Sequence, residues 1–207
     1  MNRGLLIEFL IPLLSVAATT VALQAAGADL AVAALFYVPG AGWPQGGREP
    51  WEFLYRYGNI PAFALGALGV IAFALGFFVE RLRRYRAAAL FVVAFLALGP
   101  GLIVNTVFKD HWGRPRPAEI VQFGGTEVFR PFWSPGGQGQ GRSFPSGHAA
   151  IGFFVLAPFF VFRKTSPGRA RRALAAGLLY GALMGLARII QGGHFLTDVI
   201  WSGILVY

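Results

Sequence analysis

Residues 87–117 read AAALFVVAFLALGPGLIVNTVFKDHWGRPRP, an uncharged run to Phe108 followed at once by Lys109, Asp110, His111, Arg114 and Arg116. At about 1.5 Å per residue, the uncharged part makes a helix long enough to cross a hydrocarbon core of about 30 Å. Outward from it, apolar stretches that meet or approach this length lie at about 4–26, 59–80, 147–162 and 173–191, and a sixth begins near Phe195 and reaches Tyr207. The composition agrees: 56% of the 207 residues are apolar and 13% charged, against about 25% charged in a soluble domain. Nine acids and eighteen bases cannot dress a soluble surface of this size. There is no acidic or Ser/Gln-rich tract of the kind that keeps a chain disordered. The lack of Cys excludes a disulfide scaffold, thiolate catalysis and Cys-ligated zinc. The expected fold is all-α: a polytopic membrane helix bundle of about six transmembrane helices, forming one integral-membrane domain over residues 1–207.

Two of these spans carry alternatives. Arg3, the apolar run and the Ala-rich segment to Ala26 also fit a cleaved signal peptide. Glu8, Pro12, Ser15, Thr19 and Thr20 dilute that run and favour a retained helix. The last run, from Phe195, would extend only roughly 20 Å, so it is expected to be a short helix or one cut by trimming, and trimming is favoured. Arg81, Arg83, Arg84 and Arg86 fill one short loop, and Arg163, Lys164, Arg169, Arg171 and Arg172 fill another. Both fall on the side of Arg3 if the spans alternate, and basic loops stay cytoplasmic. The net charge of +9 therefore mostly encodes topology. A nucleic-acid surface would need a folded basic face instead. The opposite side holds loops at about 39–58 and 109–146. After Pro50, the residues Trp51, Phe53, Tyr55 and Tyr57 predict a short interfacial helix. The second loop contains the flexible stretch GGQGQG at 136–141.

Ionisable groups concentrate at span ends on this outer side, where they are costly unless they have a task. Lys109, Arg114 and Arg116 follow the third span, His148 starts the fourth, and Arg188, His194 and Asp198 surround the turn between the fifth and sixth. Cations, two imidazoles and one carboxylate suit an anion that must also be attacked. Ser146 is a good N-cap, and the free N–H groups from Gly147 onward favour a phosphate. Taken alone, Pro145-Ser146-Gly147-His148 is more often a cap with an incidental histidine. His194 and Asp198 stand four apart, so on a helix they share a face. The carboxylate could hold one imidazole nitrogen and leave the other as a nucleophile, although a His–Asp capping pair is as good a reading in isolation. Pro115 and Pro117 hold Arg116 extended, away from the helix of Lys109. An Arg fork and a Lys point charge bind phosphate in complementary ways, while an ordinary basic membrane boundary is the plainer reading. His111 and Arg114 are possible head-group contacts, and Glu119, Glu127 and Arg130 are candidates to shape the loop. Pro100 is expected to kink the third span, and Asp29 has no evident partner. The sequence lacks an obvious carboxylate cluster for Mg²⁺.

Taken together, three motifs resemble the signatures of the type 2 phosphatidic acid phosphatase superfamily, membrane lipid phosphatases related to vanadium haloperoxidases. They are Lys109 with six residues to Arg116-Pro117; Pro145-Ser146-Gly147-His148; and Arg188 with five residues to His194 and three more to Asp198. The motifs span residues 109–117, 145–148 and 188–198, and the hydropathy pattern extends the likeness over nearly the whole chain. Ala187 stands where the family commonly has Ser. The resemblance implies that His194 attacks phosphorus to form a phosphohistidine, supported by Asp198, with His148 as general acid. Lys109, Arg116, Arg188, Ser146 and the Gly147 N–H would bind the phosphate oxygens without metal or other cofactor. The implied substrate is a phosphomonoester or pyrophosphate of a membrane lipid: phosphatidylglycerophosphate, undecaprenyl pyrophosphate, phosphatidic acid or the lipid A class. With every motif on the side opposite the Arg81–Arg86 and Arg163–Arg172 loops, the protein is expected to be a multi-pass protein of a bacterial-type inner membrane with its site facing the periplasm or exterior. Three rivals stay open: a lipid phosphotransferase using the same histidine, a haloperoxidase, and a non-enzymatic transporter or lipid-binding protein.

Overall fold

A computed structural model describes residues 3–137 and 139–207, with side chains from Ile7 onward. The described chain is helical throughout its regular structure, and no β-strand forms among the described residues. We number the helices α1 (Arg3–Ala25), α2 (Ala28–Ala34), α3 (Trp51–Tyr57), α4 (Ile60–Leu75), α5 (Arg86–Phe108), α6 (Gly147–Phe162), α7 (Pro167–Ile190) and α8 (Leu196–Val206). Among the described residues, four stretches are long and apolar enough to cross a membrane: Ile7–Ala25, Trp51–Leu75, Arg86–Phe108 and Pro167–Ile190. The protein is a multi-pass membrane protein. The apolar α6 and α8 are shorter.

Several boundaries differ from the hydropathy reading for identifiable reasons. The short helix after Pro50 is present as α3, but only Gly58 and Asn59 separate it from α4. The Tyr180 hydroxyl of α7 donates to the Gly58 carbonyl at 2.8 Å and pins this junction. Helix α7 starts at Pro167, a good first-turn residue, so Arg169, Arg171 and Arg172 lie in its first turns rather than in a loop. Pro100 has no N–H to give the ladder. From Ala97 to Phe108 the helix widens to i→i+5 turns, and the Asn105 side chain donates to the Pro100 carbonyl at 2.7 Å.

Helix α7 is the spine of the site-forming half. Gly177, Gly181 and Gly185 let α6 and α8 approach closely; a Cβ at Gly181 would stand 2.2 Å from the Phe153 ring. Small residues at such contacts substitute packing for the hydrophobic drive that lipid does not supply. The result brings the C-terminal ends of α5 and α7 to the same end of the bundle as the N-terminal ends of α6 and α8.

Candidate active site

His194 sits in the turn between α7 and α8 and is 1% exposed. Its Nδ1 lies 2.6 Å from the Ser143 carbonyl oxygen. A carbonyl only accepts, so Nδ1 carries the proton and Nε2 keeps the lone pair. Burial is the main cause that pushes the His194 pKa down to about 4, against the opposing pull of Asp198. The imidazole is therefore neutral at pH 7.

Asp198 does not hold His194 as the four-residue spacing predicts. Its Oδ2 stands 3.8 Å from Nδ1, in ion-pair range but beyond a hydrogen bond. The cause is local: α8 begins only at Leu196, so His194 precedes the helix and the shared-face geometry does not apply. Asp198 instead caps the helix by accepting from the Phe195 N–H at 2.8 Å. It also accepts from Ser143 Oγ at 2.6 Å and from Arg114 Nη1 at 2.5 Å. Ser143 thus bridges the pair, its carbonyl on His194 and its hydroxyl on Asp198. Sequence reasoning missed it, because nothing local marks a serine 51 residues from its histidine.

Arg114 is placed differently from the head-group contact expected of it. Its guanidinium is fully buried between Asp198 and Asp29, 2.7 Å from the latter, and stacks 4.4 Å from the Phe195 ring centroid. Asp29, without an evident partner in sequence, is therefore ion-paired across 85 residues. His111 is exposed and turns back on its own helix, with Nδ1 3.0 Å from the Val107 carbonyl. It does not join the other two histidines. Glu119 accepts from the Arg116 N–H at 2.8 Å, and the Arg130 carbonyl accepts from Arg114 Nε at 2.9 Å, so both shape the loop from within.

Cationic side chains gather near the start of α6. Ser146 is its N-cap, with Oγ 3.4 Å from the Ala149 N–H, and Ser202 Oγ donates to the Ser146 carbonyl at 2.9 Å, tying this turn to α8. A Cβ built on Gly147 would lie 3.1 Å from Lys109 Nζ and 2.6 Å from Asn105 Oδ1, so glycine is what lets the lysine reach the helix start. Gly193 plays the same part for Arg188, whose Nη2 would stand 2.3 Å from an added Cβ. Tyr55 of α3 joins two of the charged elements: its ring stacks on His148 at 5.0 Å, and Arg188 Cζ lies 4.6 Å from its centroid. Arg116 is extended at φ −79° and ψ 159°. The buried Nε atoms of Arg116 and Arg188 have no hydrogen-bond partner. Burial, then the fields of Arg116, Arg142 and Arg188, lower the Lys109 pKa to about 8. Cations that depress one another and keep unused donors define a place for an anion.

Apart from Tyr55 and Asp29, these groups fall in the part of the chain that matches a known family. The model described as PAP2 superfamily matches residues 87–207. The chain belongs to this superfamily. Its similar proteins include the Lipid A 4'-phosphatase of Francisella tularensis subsp. novicida (strain U112), 39% identical over 186 residues, covering 86% of this chain and 81% of that protein. The Lipid A 4'-phosphatase of Rhizobium leguminosarum is 37% identical over 135 residues, 63% of this chain and 54% of that protein. That of Rhizobium etli (strain ATCC 51251 / DSM 11541 / JCM 21823 / NBRC 15573 / CFN 42) is 34% identical over 134 residues, 63% of this chain and 49% of its own length. The matched segments thus span about half of each Rhizobium protein. No solved structure matches the chain. Tyr55 and Asp29 lie before the residues that the superfamily model matches.

Proposed function

We propose that the protein is a membrane lipid phosphatase working through a phosphohistidine on His194. The observation that carries this is Lys109 at the N-terminus of α6, in the fields of Arg116 and Arg188, whose buried Nε donors are left unpaired. His194 Nε2 attacks phosphorus, the bond to the lipid alcohol breaks, and His148 gives that alcohol its proton. A dianionic phosphate beside His148 raises its proton affinity, which favours this role. Water then attacks phosphorus while His148 takes its proton, the N–P bond breaks to release His194, and phosphate leaves. Lys109, Arg116, Arg188, Ser146 and the Gly147 N–H hold the non-bridging oxygens, where fixed donors contribute most to phosphoryl transfer. Three cations supply the charge that a divalent metal supplies elsewhere, so the proposed reaction needs none.

The similar proteins are named for lipid A, and a saccharide lipid monophosphate of that kind is the substrate class we favour. The single-domain reading of residues 1–207 and an inner-membrane site facing the periplasm complete the proposal. The basic residues around Arg81–Arg86 and Arg163–Arg172 support that orientation. An impermeant thiol reagent on intact cells should label Gln140→Cys and not Thr165→Cys; the reverse would invert it.

The reading is tested by assaying phosphate release from a panel of lipid phosphates in detergent with excess chelator. Release is expected to persist in chelator, and kcat/KM to fall as pH rises through about 8, where Lys109 loses its proton. The sign follows from the charge: neutral Lys109 binds phosphate less well. No release from any lipid of the panel, or release that requires added Mg²⁺, would contradict the proposal.

A further inference from the structure

Two buried carboxylates share one guanidinium beneath His194. Asp29 is 1% exposed, Arg114 and Asp198 are fully buried, and Arg114 reaches Asp29 at 2.7 Å and Asp198 at 2.5 Å. Thr197 stitches the three together. Its N–H donates to Asp29 Oδ1 at 2.9 Å, its hydroxyl donates to Asp29 Oδ2 at 2.6 Å, and the same oxygen accepts from Arg114 Nη1 at 3.0 Å. Gln24 donates a further hydrogen bond to Asp29. With both carboxylates ionised, this cluster carries one negative charge in excess. Arg114 and Asp198 alone would already be neutral, and an extra buried charge is unfavourable unless something offsets it. The positive charge that appears on the His194 ring when Nε2 bonds to phosphorus is such an offset, because Asp198 stands 3.8 Å from that ring.

We infer that Asp29 is a positioning residue of the reaction: it engages Arg114, fixes Asp198 through it, and leaves the cluster the net negative charge that supports a cationic His194. The inference rests on the phosphohistidine reading. Helix α2 contributes this carboxylate from outside the residues that match the superfamily model.

The test compares the unsubstituted protein with Asp29→Asn and with Asp29→Asn combined with Arg114→Gln. Asparagine keeps the Oδ1 acceptor for the Thr197 N–H but removes the charge and the Oδ2 acceptor that Arg114, the Thr197 hydroxyl and Gln24 use. Asp29→Asn should lower kcat by about 10- to 100-fold, the range for outer partners that orient a working group through another residue, with KM within about twofold. The double variant restores the net charge of the cluster, so its kcat should exceed that of Asp29→Asn. Turnover of Asp29→Asn within twofold of the parent, or a loss residing in KM, overturns the inference. So does a folded double variant no more active than the single one. Should Asp29→Asn not fold, the double variant carries the test: a folded protein without turnover counts against the inference. An inactive parent would instead sink the phosphatase reading itself, so the two failures are distinguishable.

Discussion

His194→Ala is expected to lower turnover by at least about 10,000-fold, because it removes the atom that bonds to phosphorus and not merely one that orients it. The protein should stay folded. His194 lies in a turn, and its one hydrogen bond among the described contacts, Nδ1 to the Ser143 carbonyl, joins it to another loop rather than to a helix ladder. The substitution leaves Lys109, Arg116 and Arg188 in place, so the variant should still bind a lipid phosphate. Equilibrium binding of a labelled substrate alongside phosphate release separates the two effects. Turnover within tenfold of the parent would eliminate the covalent route.

Asp198→Asn should follow closely, with a loss on the order of 10,000-fold in kcat, as for the carboxylate that steadies the reacting imidazole of a catalytic triad. Two effects combine. The charge 3.8 Å from the His194 ring disappears. In addition, Asp198 accepts from Ser143 Oγ, the Phe195 N–H and Arg114, all of them donors. An asparagine NH₂ must point at one of these, and a donor facing a donor displaces Ser143 or Arg114. Since Ser143 also sets the proton on His194 Nδ1, the tautomer is put at risk with it. Substrate affinity should change little, because the phosphate ligands lie elsewhere. A loss residing in KM would contradict this division of labour.

The membrane-long helices were legible because lipid demands long uncharged runs, and α5 and α7 answer that demand. The short α6 and α8 were legible by their motifs more than by hydropathy. Lys109, Arg116, Arg188, His148 and His194 were picked out in the sequence by charge at span ends and by likeness to the superfamily's motifs, and each sits at a helix end. What connects them could not. Ser143 reaches Asp198 across 55 residues, and Asp29 reaches Thr197 across 168. Such pairs depend on how helices are set side by side, which no local period records. Arg114 was misread for the same reason: it stands in a basic, aromatic loop that looks like surface until two distant carboxylates bury it. Tyr55 looked like an interfacial aromatic, and only the packing of α3 on α7 puts its ring between His148 and Arg188.

The central claim is that Nε2 of His194 takes the phosphoryl group, with Nδ1 held by the Ser143 carbonyl. It is tested most directly by quenching the protein in base during turnover of a ³²P-labelled lipid phosphate, then mapping the labelled residue. The expected result is an acid-labile, base-stable adduct on His194 alone, of the Nε2-phosphohistidine isomer, absent from His194→Ala. Label on His148, label on Nδ1, or steady turnover with no trapped adduct would contradict the account.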